Sequence, residues 1–181
     1  MAHNWNETFS RDELYALLKE LANEIYKRTK GNATANIYIC GGAAVMLQFN
    51  SRGTTQDVDG TWGRDRTIKE CINKVADKHG ITREWCNDDV VKSKSFTPKI
   101  YTNSSLLVSL RGLNIYVANP DLLLSMKLIS FRLEQDKHDF EDIIAIIEYL
   151  RGTGLAVTRQ WVVGRLVNYY GLEYSEKLSQ E

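Results

Sequence analysis

The sequence of 181 residues has few of the residues that would point to a metal centre or a disulfide scaffold. It contains only three cysteines, Cys40, Cys71 and Cys86, and three histidines, and none of these has the spacing of a zinc site. An odd number of cysteines also argues against a disulfide framework. The sequence shows no secretory signal peptide and no apolar run of 18 residues, so we expect a cytoplasmic protein without a membrane segment.

The sequence also has no excess of charge of either sign, because its 23 basic and 23 acidic residues cancel. Proteins that bind duplex DNA usually carry a basic surface, so we do not expect duplex DNA as a partner. The content of 43% hydrophobic and 25% charged residues is typical of a globular domain. A chain of this length can bury about 70% of the surface that its unfolded state exposes.

The order of the predicted elements indicates an α+β fold: a small mixed sheet flanked by helices, with a helical C-terminal third. Ser10 and Glu13 form a capping box, and leucines at helical spacing continue this first helix towards Gly31. The predicted strands cover residues 37–40, 54–61, 106–110 and 113–117, the first buried on both faces and the last two a hairpin. The other predicted helices cover residues 43–47, 65–79, 82–92, 120–134, 136–150 and 158–170. We expect residues 1–119 to form the α/β core and residues 120–181 to pack on it, with Asn119 capping the helix that begins at Pro120.

Two aspartates separated by one valine, Asp57 and Asp59, stand in the predicted strand 54–61. Alternate side chains of a strand share a face, so Thr55, Asp57 and Asp59 would point to one side, with the carboxylates about 6–7 Å apart. Their repulsion would be roughly 2–3 kcal/mol at an effective dielectric constant near 20. Either water surrounds such a pair, or a cation lies between the carboxylates. Mg²⁺ fits, because it binds one or two carboxylates together with substrate phosphates.

A glycine pair, Gly41-Gly42, ends the predicted buried strand and opens a helix. Backbone N–H groups that no side chain covers allow a phosphate to approach the main chain. No Lys-Ser or Lys-Thr follows the pair, which excludes a P-loop. Taken alone, the glycines are consistent with a phosphate site or with a simple turn from strand to helix.

Taken together, Cys40-Gly41-Gly42 and the stretch from Thr54 to Asp59 resemble the first motif of the nucleotidyltransferase superfamily, which has the polymerase-β-like fold. The spacer of fourteen residues, 43–56, is slightly longer than is usual there. The variant of the motif is most similar to the abortive-infection (AbiEii-like) group, whose members include toxins of toxin–antitoxin systems. The stretches 85–88, 121–128 and 137–143 are also similar to that group, so the resemblance extends over about residues 35–150.

The resemblance implies transfer of a nucleoside monophosphate from a nucleoside triphosphate to an acceptor, with Mg²⁺ or Mn²⁺ as cofactor. It implies that Asp57 and Asp59 are both the catalytic residues and the metal ligands. The nucleotide-binding residues that it implies are Gly41, Gly42, Thr55 and Lys127. The implied acceptor is a tRNA, a partner protein or a small molecule, and a cognate antitoxin is an implied partner.

One part of the superfamily pattern is missing, because a third carboxylate usually stands on a later strand beside the pair. The predicted hairpin strands contain no acid, and Asn114 is the nearest polar residue there. Asp139 or Asp88 could take the place of this acid. Otherwise the chain would be a catalytically impaired module that binds a nucleotide or a partner.

Overall fold

The computed structural model describes residues 8–49, 51–63, 65–131 and 137–171. The strands are β1 (Phe9–Ser10), β2 (Ala35–Ile39), β3 (Thr54–Thr55), β4 (Val58–Thr61), β5 (Cys86–Asn87), β6 (Ser104–Leu110) and β7 (Leu113–Ala118). The helices are α1 (Arg11–Thr29), α2 (Gly41–Phe49), α3 (Arg66–His79), α4 (Pro120–Ser130), α5 (Lys137–Gly152) and α6 (Arg159–Tyr170). Short 3-10 turns cover Arg83–Trp85, Asp89–Lys92 and Pro98–Tyr101.

Five strands form one mixed sheet in the order β5-β4-β2-β7-β6. The pairs β2–β7 and β4–β5 are parallel, and the pairs β2–β4 and β6–β7 are antiparallel. The strands β1 and β3 form a separate antiparallel ribbon. The predicted α+β class with a small mixed sheet is confirmed, and so is the hairpin, whose strands extend beyond the predicted ends.

Helix α1 follows its sequence signals closely. The side chain of Ser10 accepts from the backbone N–H of Glu13, and the Glu13 carboxylate accepts from the backbone N–H of Ser10, so the predicted capping box is present. The helix ends at Thr29, and Lys30 follows in the left-handed conformation. Its apolar stripe is fully buried in the core, as expected of an amphipathic helix that covers a sheet.

The core lies on one side of the sheet, around helix α2. Residues 43–47 of this helix are all buried, because the helix packs on β4, β7, α4 and α5. The prediction that the first long strand is buried on both faces is wrong. Ile37 and Ile39 of β2 are buried, whereas Asn36 is exposed and Tyr38, which stacks on Tyr116 with ring centroids 4.9 Å apart, is half-buried.

Two other predicted elements differ from the structure. The predicted strand 54–61 is divided, since β3 pairs with β1 while β4 enters the main sheet, and Asp57 lies between them. The Thr55 hydroxyl donates to the Asp57 carbonyl at 3.0 Å. This carbonyl therefore accepts a hydrogen bond from a side chain in the bend and not from a neighbouring strand. The predicted helix 82–92 is also wrong, because two 3-10 turns flank the short strand β5 there.

The helical C-terminal third is present as α4, α5 and α6, each close to its predicted bounds. Helix α4 ends at Ser130, whereas the predicted helix extends to residue 134. The prediction is wrong for residue 131, and residues 132–134 lie outside the described part of the chain. Asn119 does not cap α4 with its side chain, because its amide oxygen accepts from the Ser105 hydroxyl at 2.6 Å. Among the helices of the described residues, none is both long and apolar enough to cross a membrane.

Candidate active site

Asp57 and Asp59 lie where the chain enters the sheet. Strand β4 stands between β2 and β5, and it carries Asp59 with Asp57 directly before it. The carbonyl of Asp59 accepts from the backbone N–H of Cys40 at 2.9 Å, which fixes this strand against the start of α2. Both aspartates are half-buried. The expected strand with Thr55, Asp57 and Asp59 on one face is therefore not formed, although the two carboxylates remain neighbours.

Gly41 fits closely against Asp59. Its φ of +63° lies in the left-handed region that side chains disfavour. A Cβ atom at this position would lie 2.5 Å from Oδ2 of Asp59. Gly42 has a different neighbour, since a Cβ there would collide with the guanidinium of Arg52. The glycine pair thus brings the N-terminus of α2 against one catalytic candidate and one arginine.

The strand beside the aspartates is β5, and the hairpin lies on the other side of β2. Asn87 of β5 is paired with Asp59 in the ladder, and its amide donates to Oδ2 of Asp57 at 3.1 Å. Asn114, by contrast, donates to Asn36 at 3.1 Å, away from the pair. An amide therefore stands on the strand where the superfamily pattern would place a third carboxylate.

Lys127 of α4 is engaged by two carboxylates of α5. Its ammonium nitrogen lies 2.6 Å from Oδ1 of Asp139 and 2.7 Å from Oδ2 of Asp142. Asp142 is only 3% exposed, and Oδ2 of this residue also accepts from the Arg52 guanidinium at 3.0 Å. A continuous chain of ion pairs therefore connects Arg52, Asp142, Lys127 and Asp139.

A cleft of about 320 Å³ opens beside Asp59, and we call it the aspartate cleft. Residues of β4, the start of α2, α4, α5 and the segment 89–95 line it. Among the described residues of this lining, three carboxylates, Asp59, Asp89 and Asp139, face one cation, Lys127. Because Lys127 is already paired, these residues together favour cations over a free triphosphate.

The electrostatic surroundings differ between the two aspartates. Burial, followed by repulsion from Asp57 and opposed by the charge of Lys127, raises the pKa of Asp59 to about 6. Burial also raises the pKa of Asp57, against the amide of Asn87 and the charge of Arg52, which lower it. Burial raises the pKa of the Cys40 thiol far above its ordinary value, so this thiol stays protonated and is not a nucleophile.

The donor set of the site suits a hard divalent cation only in part. Asp57 and Asp59 supply carboxylate oxygens that repel each other while they are partly desolvated, and a cation would relieve this repulsion. Within the described ranges, no group of three or more His, Cys, Asp and Glu side chains is arranged to hold a metal. The pair would thus be completed by water or substrate phosphates, as Mg²⁺ commonly is.

The structure brings together some of the predicted residues and separates others. Gly41, Asp59, Lys127 and Asp139 line the aspartate cleft. Thr55 is buried and bonded to the backbone, and Asp89 lines the cleft in place of its neighbour Asp88. The sequence reading missed Arg52, Asn87, Asp89 and Asp142. Arg52 could have been predicted from its position just before the Thr-x-Asp-x-Asp segment. The other three residues reach the site through the pairing of strands and helices, which has no local signal in the sequence.

A family model described as "Nucleotidyltransferase of unknown function (DUF6036)" matches residues 16–149. The matched range contains the aspartate pair, the glycine pair and the ion pairs between α4 and α5. No curated protein and no solved structure matches the chain.

Proposed function

The chain belongs to the DUF6036 family of nucleotidyltransferases of unknown function, and from this membership we propose that it transfers a nucleoside monophosphate to an acceptor hydroxyl. The observation that carries the proposal is the half-buried pair Asp57 and Asp59 beside Gly41 at the start of α2. In the reaction, the acceptor oxygen bonds to the α-phosphorus, and the bond from that phosphorus to pyrophosphate breaks. The hydroxyl proton passes to one of the two carboxylates and then to water.

We assign to Asp57 and Asp59 the binding of Mg²⁺ or Mn²⁺, which would supply positive charge to the reacting phosphate when bound. The first backbone N–H groups of α2, at Gly41 and Gly42, would donate to phosphate oxygens. Lys127 cannot offer a free charge while Asp139 and Asp142 hold it. Its role is therefore to reduce the negative charge of the aspartate cleft, which would otherwise repel the nucleotide.

The test is the replacement of both aspartates, Asp57→Asn with Asp59→Asn. The parent protein, given Mg²⁺ and each nucleoside triphosphate radiolabelled at the α-phosphate, is expected to label one fraction of a cell extract: RNA, protein or small molecules. The double variant should lose this label and keep its circular dichroism spectrum, and Asp12→Asn on the exposed surface of α1 is the control. Full transfer by the double variant would exclude the assignment.

The same experiment addresses the partners that the AbiEii-like resemblance implies. Label in tRNA would support an RNA-modifying toxin, and label in a protein would support a partner such as a cognate antitoxin. Label in a small molecule would support neither. Omission of the divalent cation should abolish nucleotide binding in calorimetry, because a free triphosphate meets three carboxylates in the aspartate cleft.

A second candidate function is a nucleotide- or partner-binding module without catalysis. It is favoured by Asn87, which stands on the strand where a third acid would be expected. In that case Mg²⁺ with a nucleoside triphosphate raises the unfolding temperature by mass action, but no labelled product forms in any fraction. Absence of nucleotide binding at millimolar concentration would exclude both functions.

A further inference from the structure

A second cleft, with a volume of about 390 Å³, lies beside the segment that leads to Asp57. We call it the polar cleft. Its walls are the turn and ribbon of residues 51–56, Thr8 before β1, and the first turns of α5. Thr55 lines this cleft and bonds to the Asp57 carbonyl, so the cleft adjoins the aspartate pair.

The chain of ion pairs extends from the polar cleft to the aspartate cleft. Arg52 and Asp142 line the polar cleft, whereas Lys127 and Asp139 line the aspartate cleft. The bond of 2.7 Å between Lys127 and Asp142 therefore joins the two walls. Transfer of a phosphoryl group requires the attacking and leaving oxygens to lie on opposite sides of the phosphorus, roughly in line. An acceptor must therefore approach from a side other than the one that holds the leaving pyrophosphate, and the polar cleft adjoins Asp57 through Thr55.

The charged residues in the polar cleft are paired with one another. Arg52 bonds to Asp142, and Nδ1 of His138 lies 3.3 Å from Oε2 of Glu141. The remaining lining residues, Thr8, Ser51, Gly53, Thr54, Thr55 and Gln56, carry hydroxyl, amide and backbone groups without charge. A nucleic-acid backbone gains its affinity from several unpaired lysines and arginines, and the described residues of this lining supply none.

The volume of the polar cleft lies within the range of about 300–1,000 Å³ that is common for pockets that bind small molecules. Its uncharged donors and acceptors match a ligand with many hydroxyls. Sugar hydroxyls both donate and accept, as the side chains of Ser51, Thr54 and Gln56 do.

We propose that the polar cleft is the acceptor site and that the acceptor is a small, uncharged, hydroxyl-rich molecule. This inference rests on the proposed transferase function and names its second substrate. One hydroxyl of the acceptor attacks the α-phosphorus of the nucleotide held in the aspartate cleft, pyrophosphate leaves, and the hydroxyl proton is released to water through a carboxylate of the pair. The product is a neutral sugar-type molecule that carries a nucleoside monophosphate.

The test separates the small molecules of a cell extract by ion exchange into uncharged, cationic and anionic pools. Each pool, together with total RNA and total protein, is incubated with the full-length protein, Mg²⁺ and the labelled nucleotide. The proposal expects product from the uncharged pool. Label confined to the RNA, the protein or either charged pool would overturn it, although the proposed transferase function would stand.

Two substitutions assign the product to this cleft. Gln56→Trp fills it from the bend before Asp57, and Ser51→Trp fills it from the exposed turn. Each is expected to lower the labelling of the uncharged pool at least tenfold while nucleotide affinity, measured by calorimetry, stays as in the parent. Gln160→Trp places the same side chain on the exposed surface of α6 and should change neither quantity.

The outcomes distinguish the two proposals. Parent-level labelling by Gln56→Trp and Ser51→Trp, both folded by circular dichroism, would remove the acceptor from the polar cleft. A parent protein that binds no nucleotide would instead remove the transferase function, and the acceptor site with it. The loss of nucleotide affinity in both tryptophan variants would show that this cleft serves the nucleotide and would overturn the inference.

Discussion

At the scale of single residues, the backbone at Gly41 restricts which residue the candidate site can hold there. Its positive φ costs about 1–2 kcal/mol for a residue with a side chain. We predict that Gly41→Ala lowers the free energy of unfolding by about that amount and weakens nucleotide binding, because the new methyl must displace the Asp59 carboxylate. Denaturant unfolding and calorimetry check the two effects. Gly53→Ala is the control, since a Cβ there meets nothing within 4 Å; equal behaviour of the two variants would contradict the prediction.

Asp59 gives a prediction for the pH dependence of stability. Burial, together with repulsion from Asp57, raises its pKa in the folded protein to about 6, against about 4 for an unfolded chain. The folded state thus binds the proton more tightly, and the stability that this proton provides is lost as the pH rises through 6. Asp59→Asn should therefore raise the free energy of unfolding near pH 7.5, by up to about 3 kcal/mol, and change it little near pH 4.

Unfolding in denaturant at the two pH values measures this difference. Asp89→Asn is a suitable comparison, because the hydrogen bond from Lys92 lowers the pKa of that exposed carboxyl. This variant should gain no stability at the higher pH. A gain that is equal at both pH values would show that the Asp59 carboxylate carries no ionisation penalty.

The residues of the site differ in how far the sequence could predict them. Asp57, Asp59 and Gly41 stand in a local pattern, and the resemblance of this pattern to the nucleotidyltransferase superfamily predicted them as site residues. Asn87 reaches Asp57 only because β5 pairs with β4, thirty residues away along the chain. No local signal specifies that pairing.

At the scale of elements, too, the sequence predicts features that have local signals and misses those that depend on tertiary pairing. Helices α1 and α3 begin with side-chain caps at Ser10 and Asp65, and local hydrogen bonds of this kind can be read from the sequence. The segment 82–92 also begins with a capping residue, Thr82, but its helix ends after one 3-10 turn. Cys86 and Asn87 then form the edge strand β5, which pairs with β4. Tertiary pairing overrides a short helical preference in this case.

Lys127 joins two elements, and the consequence for stability can be measured. Its side chain is 10% exposed and balances Asp139 and Asp142 on the next helix. Lys127→Met would leave the buried Asp142 with Arg52 as its remaining ion-pair partner in this chain of residues. We predict a loss of about 3 kcal/mol in the free energy of unfolding, because removal of Lys127 leaves the two carboxylates of Asp139 and Asp142 with Arg52 as the one remaining cation of this chain of ion pairs.

The comparison for this prediction is Lys94→Met, which removes an exposed lysine from the segment that precedes Phe96. Its midpoint of denaturant unfolding should equal that of the parent. An Lys127→Met protein as stable as the parent would mean that the ion pairs between α4 and α5 contribute no net stability.

At the scale of the whole molecule, the helical third is part of the site as well as of the core. Leu122, Leu123 and Leu124 of α4 are fully buried with the residues of α2. Helix α6 anchors the segment that walls the aspartate cleft, since the Tyr170 hydroxyl donates to the Ser95 carbonyl at 2.5 Å and Thr97 donates to the Tyr169 carbonyl at 3.3 Å. The boundary predicted at residue 119 therefore separates two regions of sequence that share one core and that both line the aspartate cleft.

This shared core predicts a single cooperative unfolding transition for the full-length chain. Trp85 is fully buried beside α3, whereas Trp161 lies half-buried on α6, so the two indoles report on different parts of the molecule. The sequence has two further tryptophans, Trp5 and Trp62, and both are replaced by Phe so that Trp161→Phe leaves Trp85, and Trp85→Phe leaves Trp161, as the one indole. Unfolding of these two proteins, followed by fluorescence, should coincide in each with the loss of helical circular dichroism. If residues 120–171 formed an independent unit, the fluorescence of the Trp85→Phe protein, in which Trp161 remains, would change at a lower denaturant concentration than the circular dichroism of the core. Such a separated transition would contradict the prediction.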